Sequence, residues 1–327
     1  MFLLIKNVNR IFLSVKGQIK SMIKKMGNFS LSYLIKLNSL DNTFPIYLPQ
    51  FTKRELYLWY IKVVKPLCKW DIQYRNNFYS KVPLDIIIPT INKDLDVLER
   101  VIMAAKENIK HPIGQIFIIS NENDMLKNII AKHSCVFVDE RSILPVTKES
   151  ISYFINGIDR SGWLFQQLLK LSGDEISTQE QFLVLDSDTV FVRPKIFIYR
   201  GKYIFDHSEE YNIPYYNVYS KIMKMEIRSK LSFVTHYMLF SRKYLQEMKK
   251  YMEIKNNQSW IDAILSNTDY NNLSGFSEYE TYGNYMLTFH KNKMKREFWH
   301  NISFNYDNTF IPNFYKSVSM HSYNKSN

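Results

Sequence analysis

From residue 82 the apolar positions fall into short continuous runs that alternate with longer stretches of helical spacing. LDIIIPT (84–90), QIFIIS (115–120), CVFVDE (135–140) and QFLVLDSD (181–188) are apolar runs closed by polar or turn-forming residues, the pattern of buried strands. Between them, KDLDVLERVIMAAKEN (93–108), NDMLKNIIAKH (123–133) and GWLFQQLLKL (162–171) carry apolar residues at helical spacing. Repeated strand–helix–strand units predict an α/β fold, a mainly parallel sheet flanked by helices, with ligands bound beyond the carboxyl ends of the strands. Thr90, Asp139, Asp186 and Asp188 fall at such ends.

The N-terminal residues follow a different rhythm. Met1, Ile5, Val8, Phe12, Val15, Ile19, Met22 and Met26 recur at spacings of 4,3,4,3,4,3,4, while Lys6, Arg10, Lys16, Lys20 and Lys24 occupy the flanks and the opposite side. That is an amphipathic helix, and no uninterrupted apolar run approaches the ~18–20 residues that span a bilayer. Thr52-Lys53-Arg54-Glu55 then reads as a capping box opening a second helix through Leu56, Trp59, Tyr60, Val63 and Val64, which should stop near Pro66. The expected organisation is a basic amphipathic helical extension (1–40), a helical linker or accessory layer (41–81), an α/β domain (82–305) and a loose tail (306–327).

Charge sharpens that division. Residues 1–84 hold 14 Lys/Arg against three acids, 14 − 3 = +11, whereas the remaining 243 hold 29 bases and 28 acids, a balance of +1. A basic segment on a neutral body suggests an anionic surface as partner, and the amphipathic stripe favours lipid headgroups over nucleic acid. Packing of this helix on the protein body, or a coiled-coil seam with another chain, are the alternatives. Two cysteines make neither a disulfide framework nor a zinc site and suit a reducing compartment, so the expected location is the cytoplasmic face of a membrane.

The chemistry concentrates at Asp186-Ser187-Asp188. On an extended chain residues i and i+2 point to the same side, so both carboxylates converge on one cation. Two enzyme classes carry such a pair. A haloacid-dehalogenase-type phosphohydrolase uses the first Asp, here Asp186, as nucleophile, but it opens its nucleotide fold with that strand and needs a further Lys and an acidic pair downstream. Here about 100 residues of strand–helix units precede the motif, and no such acidic pair follows. A nucleotide-sugar transferase wants the reverse layout: nucleotide-binding units, then the acidic pair, then an acceptor-binding half. A non-catalytic membrane-surface binding protein on the same fold is the third reading.

DIIIPT (85–90), GWLFQQLLKL (162–171), VLDSDTVF (184–191), THYMLF (235–240) and SGFSEYETYGNY (274–285) together resemble the GT-A type of glycosyltransferase, most closely a domain-of-unknown-function family of bacterial glycosyltransferase-like proteins. The resemblance spans 84–290 and implies a Rossmann-like fold that moves a sugar from a nucleotide-sugar, a UDP-sugar first among them, to a glycan or lipid-linked acceptor in surface polysaccharide or glycoconjugate synthesis. It implies Mn²⁺ or Mg²⁺ on Asp188, with Asp186 on the metal or the donor ribose; oxygen-only ligands suit these ions over zinc. It also points to a carboxylate at the start of the helix after Ser277 as the base of an inverting reaction. Ser277-x-x-Glu280 is a capping box, which gives Glu280 a structural explanation and leaves Glu278 the first candidate and Glu280 the second. His290 or His300 is expected on the metal, and His236 on the acceptor side. Trp163, Gln167 and Lys170 share a helix face, Trp163 as core and Gln167 or Lys170 toward the donor.

Deleting residues 1–40 is expected to release the protein from anionic vesicles in co-sedimentation, since each Lys or Arg at such a surface contributes about 1 kcal/mol. Loss of the cooperative melt in the truncated chain would instead make those residues core packing.

Overall fold

The computed structural model describes residues 53–65, 79–303, 311 and 314–320; the expected extension over 1–40 and most of the stretch 41–81 lie outside them. The chain divides into two compact units, Met1–Leu56 and Tyr57–Asn327, and the sheets, the core and the site all belong to the second. Helix α1 (Lys53–Trp59) runs into a π turn, Tyr60–Val64, and Lys65 is still helical; the stop expected near Pro66 lies outside the described residues. Ile61, outside the predicted stripe, is buried as Tyr60 within it is, and packs with Leu231 and Phe298.

The central sheet has five strands: β1 (Leu84–Pro89), β2 (Ile113–Ser120), β3 (Val136–Asp139), β6 (Gln181–Leu185) and β10 (Tyr237–Ser241). A two-residue-strand hairpin, β4 (Phe154–Ile155) and β5 (Ile158–Asp159), stands apart from it. The sheet order is β10-β6-β1-β2-β3, parallel throughout except for β10, which runs antiparallel to β6. This is the mixed, mainly parallel α/β architecture that the sequence predicts.

Both faces of the sheet are covered, which is why its strands read as continuous apolar runs and not as alternating ones. Ile86, Ile88, Leu183 and Leu185 face α2 (Leu95–Asn108) and α3 (Asp124–His133); their neighbours Ile87, Phe182 and Val184 face the opposite way. That second core holds α4 (Ser161–Leu171), α5 (Ile213–Met223), α6 (Arg242–Asn256), α7 (Trp260–Asn267) and α8 (Glu278–Phe289). Gly283 lets α8 sit against Phe233: a Cβ there would lie 2.3 Å from the ring's Cγ. This seating brings the N-terminal turn of α8 to the carboxyl end of the sheet.

Two three-stranded sheets flank the domain. One orders β11 (Met294–Phe298), β9 (Lys202–His207) and β8 (Ile198–Tyr199); the other orders β12 (Asn301–Ser303), β13 (Ser317–Ser319) and β7 (Thr189–Phe191). The second takes Ser317–Ser319, within the expected loose tail (306–327), into a strand. β13 is fully buried and pairs Ser317, Val318 and Ser319 with Phe191, Val190 and Thr189, directly beyond the acidic motif.

At the other end of β1, buried Asp85 fastens the start of β2 and the 177–179 loop. It accepts hydrogen bonds from the main-chain N–H groups of Gln115 (2.7 Å), Thr178 (2.7 Å) and Gln179 (3.1 Å), and from the hydroxyls of Ser177 (2.8 Å) and Thr178 (3.0 Å). Asp85→Ala strands the main-chain donors of Gln115 and Thr178, each costing about 1–3 kcal/mol when unpaired, while the Gln179 N–H keeps a bond to Ser177 Oγ (3.1 Å). Urea denaturation is expected to show a loss of roughly 2–6 kcal/mol with an unchanged m-value. Ligand binding by the folded fraction should survive, because Asp85 lies at the amino end of β1, remote from the site.

Candidate functional site

β1 has β2 on one side and β6 on the other, so the chain leaves the two central strands toward opposite edges of the sheet and a crevice opens at their carboxyl ends. Thr90 follows β1 and Asp186-Ser187-Asp188 follows β6. The acidic turn is fixed at three points. The Asp186 N–H donates to the carbonyl of His236 (3.0 Å), and the Met320 N–H donates to the carbonyl of Asp188 (2.8 Å). Between them, the Ser187 hydroxyl donates to Asp94 Oδ2 (2.9 Å) at the start of α2. Ser187 and Asp94 are buried, whereas Asp186 and Asp188 keep partial exposure to the crevice. Burial, and secondarily nearby Asp188, raise the Asp94 carboxyl against the opposing Ser187 hydrogen bond.

The charge that Asp186 holds here is an ammonium. Lys170, near the end of α4, places Nζ 2.7 Å from Asp186 Oδ1 and 2.9 Å from Glu278 Oε1 on the first turn of α8. Lys170 is 4% exposed and Glu278 2%. The Tyr279 ring lies 4.7 Å from the same ammonium, and its hydroxyl donates to Asp186 Oδ1 at 3.4 Å. Burial works to neutralise Lys170, but Asp186 and Glu278 more than offset it and hold its pKa well above the usual value. Burial raises Glu278, with Lys170 opposing. Tyr279 is pushed far up by burial and then by Asp186, so it stays a neutral donor.

A cavity of about 540 Å³, lined by none of Asp186, Asp188, Lys170 and Glu278, lies beyond the ends of β1 and β2 and against α4 from Ser161 to Leu169. Thr90 lines it, and its hydroxyl is buried with no hydrogen-bond partner among the described residues. Trp163, expected in the core, also faces the cavity, with the Arg160 guanidinium 4.3 Å from its ring. Lys93 lines the same space next to Asp94, so the β1–α2 loop joins the cavity to the acidic turn.

Other expected residues stand elsewhere. Asp139 is gripped by Arg141 (2.6 Å to Nη2), which holds its carboxyl below the usual range, and does not line the cavity; neighbouring Glu140 does, bonded to Asn121 Nδ2 at 2.8 Å. Gln167 is buried and donates back to the Trp163 carbonyl, leaving Gln166 to face the cavity. His290 lies at the far end of α8, about 18 Å from Glu278 at 1.5 Å per residue, paired with Glu247 at 3.1 Å. His300 is buried against Phe298 and Phe314, its pKa lowered to about 3 by burial and then by surrounding lysines. Among the described residues, no group of three or more His, Cys, Asp or Glu is arranged to hold a metal. His236 stands beside the acidic turn, its Nδ1 2.5 Å from Ser319 Oγ and its ring against Trp299.

Only half of the expected capping box forms. Ser277 accepts from the Glu280 N–H, but the Glu280 carboxylate turns away to the 229–233 loop. It accepts from Ser232 Oγ (2.5 Å), the Phe233 N–H (3.1 Å) and Asn284 Nδ2 (2.9 Å). Glu280 therefore anchors a loop, and of the two glutamates Glu278 alone belongs to the Lys170 cluster. Asp94, Glu140, Arg160, Gln166 and Tyr279 are site residues that the sequence pattern does not single out.

A protein-family model described as a family of unknown function (DUF6492) matches residues 83–325. No curated protein matches the chain. Among solved structures, mouse xyloside xylosyltransferase 1 in its apo form is similar at 12% identity and a TM-score of 0.39, over 68% of this chain and 88% of that one.

Burial raises the Glu280 carboxyl to about 7 despite its three donors. The folded state then binds a proton that the unfolded chain releases near pH 4.5, so this group's stabilisation is complete below 4.5 and is lost as pH rises through 7. The span corresponds to about 3 kcal/mol. Melting temperature measured from pH 4.5 to 7.5 is expected to carry a downward contribution that Glu280→Gln removes. A variant with the wild-type slope would assign that titration to another group.

Proposed function

The chain belongs to that family of unknown function, and from its site we propose that it is a glycosyltransferase, moving a sugar from a nucleotide-sugar to a glycan or lipid-linked acceptor. The observation that carries the reading is the Asp186-Ser187-Asp188 turn at the crevice between β1 and β6, with a cavity of about 540 Å³ alongside. That volume falls in the range of pockets that take small molecules and cofactors. The phosphohydrolase reading loses ground: Asp186 follows a strand that comes late in the sheet, and Lys170 and Tyr279 already occupy its Oδ1.

Each part of the site has work in such a transfer. The cavity offers an indole face at Trp163, buried polar groups at Thr90 and Glu140, and the cations Lys93 and Arg160, a lining suited to a nucleoside and its phosphates. Asp186, Asp188 and Glu278 against Lys170 sum to −3 + 1 = −2 when all are ionised, a deficit that suits one divalent cation. Asp188 would hold it, with Asp186 as second ligand or on the ribose. Two carboxylates are few for a protein cage, but Mg²⁺ and Mn²⁺ take such sites by completing their shells with water and phosphate oxygens. When bound, that ion offsets the negative charge growing on the departing nucleoside diphosphate. Lys170 supplies a second positive charge from the protein itself. Glu278, whose pKa burial raises, is the carboxylate placed to take the acceptor hydroxyl's proton once donor phosphates compete for Lys170. A UDP-sugar donor, and attachment to the cytoplasmic face of a membrane through residues 1–40, complete the proposal.

The test is a thermal-shift screen of UDP-, GDP-, CMP- and dTDP-sugars with and without Mn²⁺. One nucleotide class is expected to stabilise the protein only with the metal. Asp188→Ala should lose that shift while melting at the wild-type temperature without ligand, because a partly exposed ligand side chain contributes little packing. An Asp188→Ala protein that shifts like wild type would refute the metal assignment.

A further inference from the structure

The residue before α2 reaches far across the molecule. Asp94 closes the 3₁₀ turn Asn92–Asp94 that leads into α2, and its carboxylate accepts no main-chain N–H of that helix. Its Oδ2 accepts instead from Ser187 Oγ at 2.9 Å, across 93 residues of chain, in a pair where Asp94 is 9% and Ser187 4% exposed. A buried carboxylate costs free energy to keep ionised. A contact kept against that cost points to a role at the turn it reaches.

The geometry of that turn supplies the role. Its other fixed points, the bonds of the Asp186 N–H to His236 and of the Asp188 carbonyl to Met320, are main-chain bonds. They hold the backbone's path and leave the direction of the middle side chain open. Ser187 lies between the two aspartates in a tight turn closed by the Thr189 N–H on the Asp186 carbonyl (3.1 Å), where its own side chain is buried while Asp186 and Asp188 keep partial exposure. Holding Ser187 inward therefore fixes the rotation of this turn, and with it the side on which the two aspartates stand.

We infer that Asp94 is a positioning residue: through Ser187, and alongside the hold of Lys170 on Asp186, it sets how the turn presents Asp186 and Asp188 to a divalent cation. The inference rests on the proposal that these aspartates bind such a cation. Asp94 touches neither the cation nor the reacting atoms; it acts as an outer-shell partner, and loss of such partners elsewhere costs about 10–100-fold in metal affinity. Because Lys93 lines the cavity and Asp94 is the next residue, a nucleotide in the cavity and a cation on the turn share one support.

Mn²⁺ alone, titrated by electron paramagnetic resonance into the full-length wild type, Asp94→Ala, Asp94→Asn, Ser187→Ala and the double alanine variant, tests this, with a melting curve for each. Asp94→Ala and Ser187→Ala are each expected to weaken Mn²⁺ binding about 10–100-fold. The double variant should lose no more than either single one, because both remove the same bond. Asp94→Asn keeps an acceptor for the serine hydroxyl and should restore near-wild-type affinity. If Asp94→Ala does not fold, Ser187→Ala, which deletes one hydroxyl, decides. Alanine variants that melt earlier yet bind Mn²⁺ like wild type make the bond a structural tie and overturn the inference. A wild type that binds no Mn²⁺ removes the metal proposal and this inference together, and is seen before any variant is made.

Discussion

A lysine ammonium that is 4% exposed dictates the arrangement of everything near it. Stripped of water and left alone, such a charge would neutralise or drive the segment open. Lys170 stays charged because Asp186 and Glu278 lie within 3 Å on two sides and the Tyr279 ring adds its face. Withdrawing any one group leaves the others charged in a medium of low dielectric, which typically costs about 3–5 kcal/mol. Helix α4, the acidic turn and the start of α8, remote from one another in sequence, are therefore locked to a common point. The crevice is walled by groups already in place before any ligand arrives.

That lock also explains how charge is divided in the site. The Asp186 Oδ1 atom, paired with Lys170 and Tyr279, is committed to the protein. The rest of its carboxylate and Asp188 face the crevice. A motif that looks symmetrical in sequence thus becomes asymmetrical in the fold. The asymmetry comes from helix α4, whose sequence precedes the motif.

The parts of the molecule legible in the sequence are those where one strong local signal decides the outcome. The apolar runs at 84–90, 115–120 and 181–188 became the core strands because burial on both faces leaves no other use for them. Strand ends marked Thr90 and Asp186, and the helix face marked Lys170. What failed was side-chain direction set by tertiary partners. Arg141 two residues on captured Asp139 and left Glu140 to face the cavity. Glu280 fits the capping pattern, yet Ser232 and the Phe233 N–H offered its carboxylate better partners. His290, one of two histidines expected on the metal, stands at the opposite end of α8 from Glu278 and pairs with Glu247, a placement that spacing along the chain does not reveal. Ser317–Ser319 was missed since three residues with a single apolar position give no periodicity to read.

That missed strand has a consequence for the order of assembly. β7 lies immediately after the acidic turn, and the strand that pairs with it is made roughly 125 residues later. Closing so long a loop carries a large entropic cost before any contact repays it, so contacts of this kind form late in folding. A nascent chain can already bury its central sheet while the Asp188 carbonyl still lacks the Met320 N–H. The core is thus built early and the acidic turn finished late, and a chain that has not yet added β13 is kept from presenting a completed turn.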